Sequence, residues 1–352
     1  MTNKIRVLLA DDSDVARGLL RSYLEEEKDF EVVGEADNGE TAVTLAASLR
    51  PDLITMDLEM PRLGGLQAIE EIMSRSATPI LVVSSVADAR NAYSAVTLGA
   101  VDVVRKPGLD AEERQDFVNK ARLVAGVRVI THVRRQRWFS REDLPTPAKV
   151  NAIAQPDPDR RAAVERVVVI ACSTGGPQAL ARILSMLPAG FPAPILIAQH
   201  ISVGFSAGMA EWLASLCTLP VRLGEDGQIL QAGVVTFAPS EYHMAINASH
   251  QVVLQERQEK DLYRPCCDVL LRSAAKVYRK NCIGVILTGM GQDGREGMRA
   301  IHEAGGQTIA QDEASSVIFG MNALAIAAGV VDQVVPLDEI ASAIVHATGM
   351  QG

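Results

Sequence analysis

The chain has 352 residues, which suits two or three domains, and its 48% hydrophobic and 22% charged content is ordinary for a globular protein. A net charge of −9 argues against a nucleic-acid-binding surface over most of the length. Met1–Arg6 is polar, without a signal-peptide core, and no run approaches the ~18 apolar residues of a membrane span, so a cytoplasmic protein without membrane insertion is expected.

In chain order, short apolar strands alternate with amphipathic helices. Strands are expected at Ile5–Ala10, Glu31–Ala36, Leu53–Met56, Ile80–Val83 and Val101–Val104, with helices at Val15–Glu26 and Gly39–Leu49. Nearly continuous apolar strands between helices mean a parallel sheet covered on both faces. The pattern then breaks. Arg134, Arg135, Arg137 and Arg141 form a basic cluster, and Pro145, Pro147, Pro156 and Pro158 follow. Proline fixes φ and removes a donor, so an extended linker is expected. The alternation restarts with strands at Val167–Ala171, Ile195–Ala198, Val234–Ala238, Ile283–Thr288 and Gln307–Ala310. Helices are expected at Gln178–Leu187, Gly208–Leu216, Cys267–Tyr278, Gly294–Ala304 and Met321–Ala328. The reading is α/β throughout, with two doubly wound parallel-sheet domains at 1–124 and 164–352 joined by a Pro/Arg-rich linker at 125–163.

Ligands gather at the carboxyl ends of strands in such sheets. Asp11 and Asp12 end the first strand and Asp57 ends the third. Carboxylates converging there repel unless a hard cation lies between them, and Mg2+ takes oxygen ligands. A carboxylate can also attack phosphorus to give an aspartyl phosphate. Lys106 and Ser84, past the fifth and at the end of the fourth strand, are suited to contact the phosphate. Asp12 or Ser13 serves equally as a helix cap.

In the second half, Ser173 follows a strand directly and precedes Thr174-Gly175-Gly176-Pro177 and a helix. Glycines permit a sharp strand-to-helix turn, and a helix N-terminus favours developing negative charge. The turn departs from G-x-S-x-G because Ala171 replaces the first glycine. Phosphate or dinucleotide binding stays open for such a turn, although the G-x-G-x-x-G spacing and the Walker lysine are missing. A serine nucleophile needs a base and a carboxylate to orient it. His200, two residues past the strand Ile195–Ala198, is the first candidate base and His243 the second. Asp293, in Thr288-Gly289-Met290-Gly291-Gln292-Asp293-Gly294, is the candidate orienter, with helix capping as its alternative role. Five cysteines without a secretory signal suggest reduced thiols. Cys266 and Cys267 are adjacent, and no metal-ligand spacing appears, so structural zinc is not expected.

Residues 4–124 resemble the receiver domain of response regulators. The resemblance rests on Ala10-Asp11-Asp12-Ser13, Met56-Asp57-Leu58-Glu59-Met60-Pro61, Ser84-Ser85 and Arg105-Lys106-Pro107. It implies Asp57 as phospho-acceptor, with Asp11, Asp12, Asp57 and the Glu59 carbonyl around Mg2+. Gly64 stands where the family usually has Asp, and Val103 where it usually carries an aromatic switch residue. The chain as a whole resembles the chemotaxis response-regulator protein-glutamate methylesterases. Here the resemblance rests on Ser173-Thr174-Gly175-Gly176-Pro177, Gln199-His200, Asp268-Val269-Leu270 with Arg272-Ser273, the 289–294 segment and Ala310-Gln311-Asp312-Glu313-Ala314-Ser315-Ser316.

That resemblance implies Ser173 as nucleophile, His200 as base, Asp293 as orienter, and Thr174 with the Met290 N–H around the oxyanion. It implies no cofactor for the esterase itself. The partners it implies are cytoplasmic domains of methyl-accepting chemoreceptors, as substrates for demethylation and deamidation, and a CheA-type histidine kinase as phosphodonor. Ser202, Arg295, Pro239-Ser240-Glu241 and Met321-Asn322 depart from the family pattern without removing any of the three candidates. A small-ester hydrolase and a non-catalytic phosphorylation-dependent binding module are the alternatives.

Overall fold

A computed structural model describes residues 4–129, 165–258 and 261–350. The Arg and Pro residues expected to form the linker, from Arg134 to Pro158, lie outside the described residues. The chain divides into two compact units, each with its own sheet.

In the first unit, strands β1 (Ile5–Ala10), β2 (Phe30–Ala36), β3 (Leu53–Met56), β4 (Ile80–Ser84) and β5 (Asp102–Arg105) form a sheet in the order β2-β1-β3-β4-β5. Every pairing is parallel. Helices α1 (Asp14–Glu25), α2 (Gly39–Leu49), α3 (Gly65–Arg75), α4 (Ala89–Thr97) and α5 (Ala111–Ala125) make the connections. Strand β3 is apolar apart from one threonine and buried along its whole length, as a central strand covered on both faces must be. The order reverses between β1 and β3, the switch point where such sheets leave a crevice. Ser13 caps α1 by accepting from the Ala16 N–H. Gly64 precedes α3 and brings no side-chain cap, a direct consequence of glycine where the receiver family usually has aspartate.

The second unit holds a seven-stranded sheet. Its strands are β6 (Val167–Cys172), β7 (Ile195–Gln199), β8 (Val221–Leu223), β9 (Val235–Phe237), β12 (Cys282–Ile286), β13 (Gln307–Gln311) and β14 (Gln333–Val335). A separate antiparallel hairpin, β10 (Tyr242–Ile246) with β11 (Val252–Glu256), lies outside that sheet. The large sheet runs β14-β13-β12-β6-β7-β9-β8 and is parallel throughout. Helices α6 (Gly176–Met186), α7 (Ser206–Ala214), α8 (Cys267–Tyr278), α9 (Arg295–Glu303), α10 (Met321–Ala327) and α11 (Leu337–Ala347) complete the unit. The run Val-Val-Val-Ile-Ala-Cys of β6 is buried at every residue and sits mid-sheet. The chain leaves β6 toward β7 and later returns on its other side as β12, so this sheet reverses between β6 and β12. Apolar residues of β6, β7, β12, α8, α9 and the hairpin share one core that includes Leu196, Leu270 and Ile286.

Several sequence expectations shift at the edges. Strand β12 ends at Ile286, two residues before Thr288, and the strand expected at 234–238 is trimmed to β9. The helix expected at 208–216 begins at Ser206 and ends at Ala214. Among the described residues, no helix is long and apolar enough to cross a membrane.

Candidate functional sites

In the first unit, the carboxyl ends of β1, β3 and β5 meet. Lys106 Nζ lies 2.8 Å from Asp11 Oδ2 and 2.9 Å from Asp57 Oδ2. Asp11 and Asp57 are buried, whereas Asp12 is exposed. Burial pushes the Asp57 carboxyl above its ordinary range, the Lys106 ammonium opposes that shift, and the Asp11 charge reinforces it. The Leu58 N–H donates to Asp57 Oδ1 at 2.8 Å, which fixes the carboxylate plane. Two buried atoms here make no hydrogen bond within the described chain: Ser84 Oγ, and Asp11 Oδ2, whose contact is the Lys106 ion pair. Ligand oxygens of Asp11, Asp12 and Asp57 lie within 4.8 Å of one another. This all-oxygen, acidic donor set fits a hard divalent cation, and the orphaned Ser84 hydroxyl fits an incoming phosphoryl oxygen. Glu59 follows Asp57 by two residues and is exposed in the loop. Val103, where receivers usually carry an aromatic residue, is buried in β5 opposite Val82.

Gly65 is required at this site. A Cβ there would sit 2.1 Å from the Asp57 carbonyl oxygen, inside any allowed contact. The start of α3 therefore packs directly on the backbone of the predicted phospho-acceptor.

In the second unit, Ser173 and His200 come from adjacent strands in register. Cys172 pairs with Gln199, and the His200 N–H donates to the Cys172 carbonyl at 3.0 Å. Each candidate lies one residue past that rung. Gln199 Nε2 ties the two strand ends together by donating to the Ser173 and His200 carbonyls, each at 2.9 Å. Gly175 takes φ +80° to turn the chain into α6, and a Cβ there would meet Val317 at 2.5 Å. Ser173 is buried at 8% exposure, and Thr174 lies behind it at 1%.

Asp293 follows β12, on the other side of β6. Its Oδ2 lies 2.8 Å from His200 Nε2. It also accepts from the Cys267 N–H at 2.6 Å and the Asp268 N–H at 2.9 Å, the first two amides of α8. Burial would raise the Asp293 carboxyl, but the His200 contact and these amides outweigh it and hold the group below its ordinary range. Facing a carboxylate, Nε2 carries the imidazole proton, and Nδ1 keeps the lone pair a general base requires. Ser173 Oγ makes no hydrogen bond to His200 among the described residues. Such contacts tighten when substrate closes the site.

Sequence reasoning left His200 and His243 both open as the base, and their surroundings differ. His243 Nε2 lies 2.9 Å from Asp261 Oδ2, and its Nδ1 accepts the Cys266 N–H at 3.0 Å. Both of its nitrogens are occupied, so His243 has no lone pair to offer. Met290 is 54% exposed beside the site. Its neighbour Gly289 approaches Ser173 so closely that a Cβ would lie 2.6 Å from the Ser173 Cβ.

Sequence reading missed three contributors. Tyr263 stacks on the His200 ring with centroids 4.9 Å apart and planes 13° from parallel. Cys267 Sγ lies 3.5 Å from His200 Nε2, and burial together with Asp293 pushes its thiol well up. Asp268 accepts from Gly294 N at 3.0 Å and Gly297 N at 2.6 Å, which fixes the loop carrying Asp293. Of these, Asp268 stands in the Asp268-Val269-Leu270 run on which the family resemblance rests, which gave it no role in the site. Asn322, another departure from the family pattern, is fully buried and donates to the Gln311 carbonyl and Ser316 Oγ, each at 2.8 Å.

Comparison with known proteins gives the family of each unit. Residues 7–117 match the response regulator receiver domain, and residues 168–344 match the CheB methylesterase domain. A protein-glutamate methylesterase/protein-glutamine glutaminase of Paramagnetospirillum magneticum is 51% identical over 98% of this chain and 97% of its own length. The chain belongs to the CheB methylesterase family. A second member, from Anaeromyxobacter dehalogenans, is 44% identical over 97% of this chain and 96% of its own. The crystal structure of the Thermotoga maritima CheB methylesterase catalytic domain superposes with a TM-score of 0.50 at 38% identity, covering 51% of this chain and 97% of that one.

Proposed function

We propose that this CheB-family chain is a phosphorylation-activated protein-glutamate methylesterase and protein-glutamine glutaminase, with Ser173 as nucleophile, His200 as base and Asp293 as orienting carboxylate. The observation that carries the assignment is the 2.8 Å contact between His200 Nε2 and Asp293, with Ser173 and His200 each one residue past the Cys172–Gln199 rung. Ser173 Oγ attacks the side-chain carbonyl of a glutamyl methyl ester on a chemoreceptor cytoplasmic domain, and His200 Nδ1 takes the hydroxyl proton. The resulting imidazolium is held by ionised Asp293. Thr174 and the Met290 N–H line the oxyanion region, where developing charge needs fixed donors. Methanol leaves with the proton, and a water activated by the same imidazole hydrolyses the glutamyl ester on Ser173. With a glutamine side chain the leaving group is ammonia. The esterase residues suffice for this cycle without a cofactor.

Asp57 accepts the phosphoryl group from a CheA-type histidine kinase. Receiver domains take phosphate with Mg2+, which here would be held by Asp11, Asp12, Asp57 and the Glu59 carbonyl and would neutralise charge on the transferring group. Lys106 and Ser84 then contact the phosphate. An activation of ~5–150-fold requires a coupling of only ~1–3 kcal/mol between the two units. The segments serving these roles are a receiver at 1–124, a linker at 125–163 and the esterase at 164–352, all in the cytoplasm.

The test is methanol release from methylated receptor membranes, with wild type, Ser173→Ala and Asp57→Ala compared in the presence of a phosphodonor and Mg2+. Release lost in Ser173→Ala, and stimulation lost in Asp57→Ala, is the expected result. Turnover of small free esters matching that of receptor would instead favour a general esterase.

A further inference from the structure

We propose that His200, Cys267 and Asp293 form an inhibitory site for a borderline-soft divalent cation of the zinc class. Nitrogen, sulfur and oxygen donors in one cluster are the ligand set that zinc takes in proteins, and Mg2+ does not. One ligand atom from each residue lies within 4.8 Å of the others. His200 Nε2 and Cys267 Sγ are 3.5 Å apart. Ordinary Zn–N and Zn–S lengths at a tetrahedral centre give an N···S separation of about 3.5 Å. His200 Nε2 and Asp293 Oδ2, at 2.8 Å, must open by roughly half an ångström to admit the ion.

Charge balance favours the site. A dication with one thiolate and one carboxylate makes a neutral cluster, which suits the burial of Cys267 and Asp293. His200, at 13% side-chain exposure, is the member of the three that solvent reaches, and a fourth position is left for water.

The proton inventory closes. Coordination of Cys267 breaks its S–H bond and forms a metal–sulfur bond, and that proton leaves to solvent. Coordination of His200 through Nε2 uses the lone pair there, so the imidazole proton moves to Nδ1. Neutral His200 then has an N–H, not a lone pair, at Nδ1. Binding at this cluster rests on geometry alone. The consequence, silenced methanol release, rests on the esterase assignment above.

The probe is Co2+ added to the full-length, untagged protein, with a phosphine reductant and saturating Mg2+ to fill the receiver carboxylates. Thiolate coordination gives Co2+ a sulfur-to-metal charge-transfer band that oxygen ligands in the receiver do not. The expected result is one equivalent of that band in wild type, displaced by one equivalent of Zn2+, retained in Cys266→Ala and abolished in Cys267→Ala. His200→Gln provides a second variant that leaves the thiol in place, and its Co2+ affinity is expected to fall at least tenfold. No band in wild type, a band surviving in Cys267→Ala, loss in Cys266→Ala or undiminished affinity in His200→Gln would each overturn the site. Because the band is read without substrate, loss of the esterase assignment leaves this result standing, and the reverse holds too.

Discussion

Asp293 and Asp268 cap each other's helices. Asp293, at the entrance to α9, accepts the first two amides of α8, at 2.6 and 2.9 Å. Asp268, in the first turn of α8, accepts Gly294 N and Gly297 N at the start of α9, at 3.0 and 2.6 Å. A carboxylate at a helix N-terminus is stabilised by free N–H groups and by the dipole. The pair locks two helices together and aims the remaining face of Asp293 at His200. The two groups shift in opposite senses. Asp293 is held low against its burial, whereas burial, reinforced by the Asp293 charge, carries Asp268 upward despite its amide donors.

Asp293→Asn removes the charge facing imidazolium and inverts the donor pattern toward α8. Esterase kcat is expected to fall on the order of 10³–10⁴-fold, because the wrong imidazole tautomer becomes favoured. Stability of the second unit should fall by about 1–3 kcal/mol, read by denaturant unfolding.

The depressed Asp293 carboxyl fixes a pH signature. A carboxylate whose folded value lies below the ordinary 3.8 contributes stability that is fully present above 3.8 and lost as pH falls through the lower folded value. The stability gap between wild type and Asp293→Asn should therefore stay constant at neutral pH and narrow below 3.8. A gap that widens in acid would contradict the depressed value.

Tyr263→Phe keeps the stacked ring over His200, whereas Tyr263→Ala removes it. Aromatic pairs are worth about 0.5–1.5 kcal/mol beyond burial. Methanol-release kcat should be nearly unchanged in the first variant and fall roughly three- to tenfold in the second, with an altered pH profile for the base.

Gly289→Ala drives a methyl group to within 2.6 Å of the Ser173 Cβ and the Met321 Sδ. Displacement of the serine by a fraction of an ångström is expected to cost about 10²-fold in kcat. Circular dichroism should show the fold retained.

Gly65→Ala acts on the other site. Its Cβ would lie 2.1 Å from the Asp57 carbonyl. The first unit should lose about 1–3 kcal/mol through overpacking. Phosphorylation of Asp57 by a small-molecule phosphodonor should slow in parallel, while unstimulated esterase activity is retained.

The central strands were legible because hydrophobic runs such as Val167–Cys172 admit one reading when preceded by charged residues and followed by a Gly-rich turn and a helical pattern. The strand-end positions of Asp11, Asp57, Ser173, His200 and Asp293 followed from that reading. The short edges did not. Strand β8 has three half-exposed residues and β14 three at the sheet rim, too few for any periodicity to register. The β10–β11 hairpin was missed although each arm has five residues. The surroundings of His200 were equally illegible. Cys267 is separated from it by 67 residues, and it reaches Nε2 only because α8 begins against the end of β7. The spacing rule that dismissed Cys266 and Cys267 as metal ligands looks along the chain, and this cluster forms across it.

The rung joining Cys172 to Gln199 has a consequence for the spacing of Ser173 and His200. Neighbouring strands in any sheet stand ~4.8 Å apart, so the spacing of the proposed nucleophile and base comes from backbone pairing rather than from side chains. The loops that carry Tyr263 and Met290 are free of that ladder. The sheet therefore sets the proposed reacting pair, and loops that can change without disturbing the ladder set what reaches it.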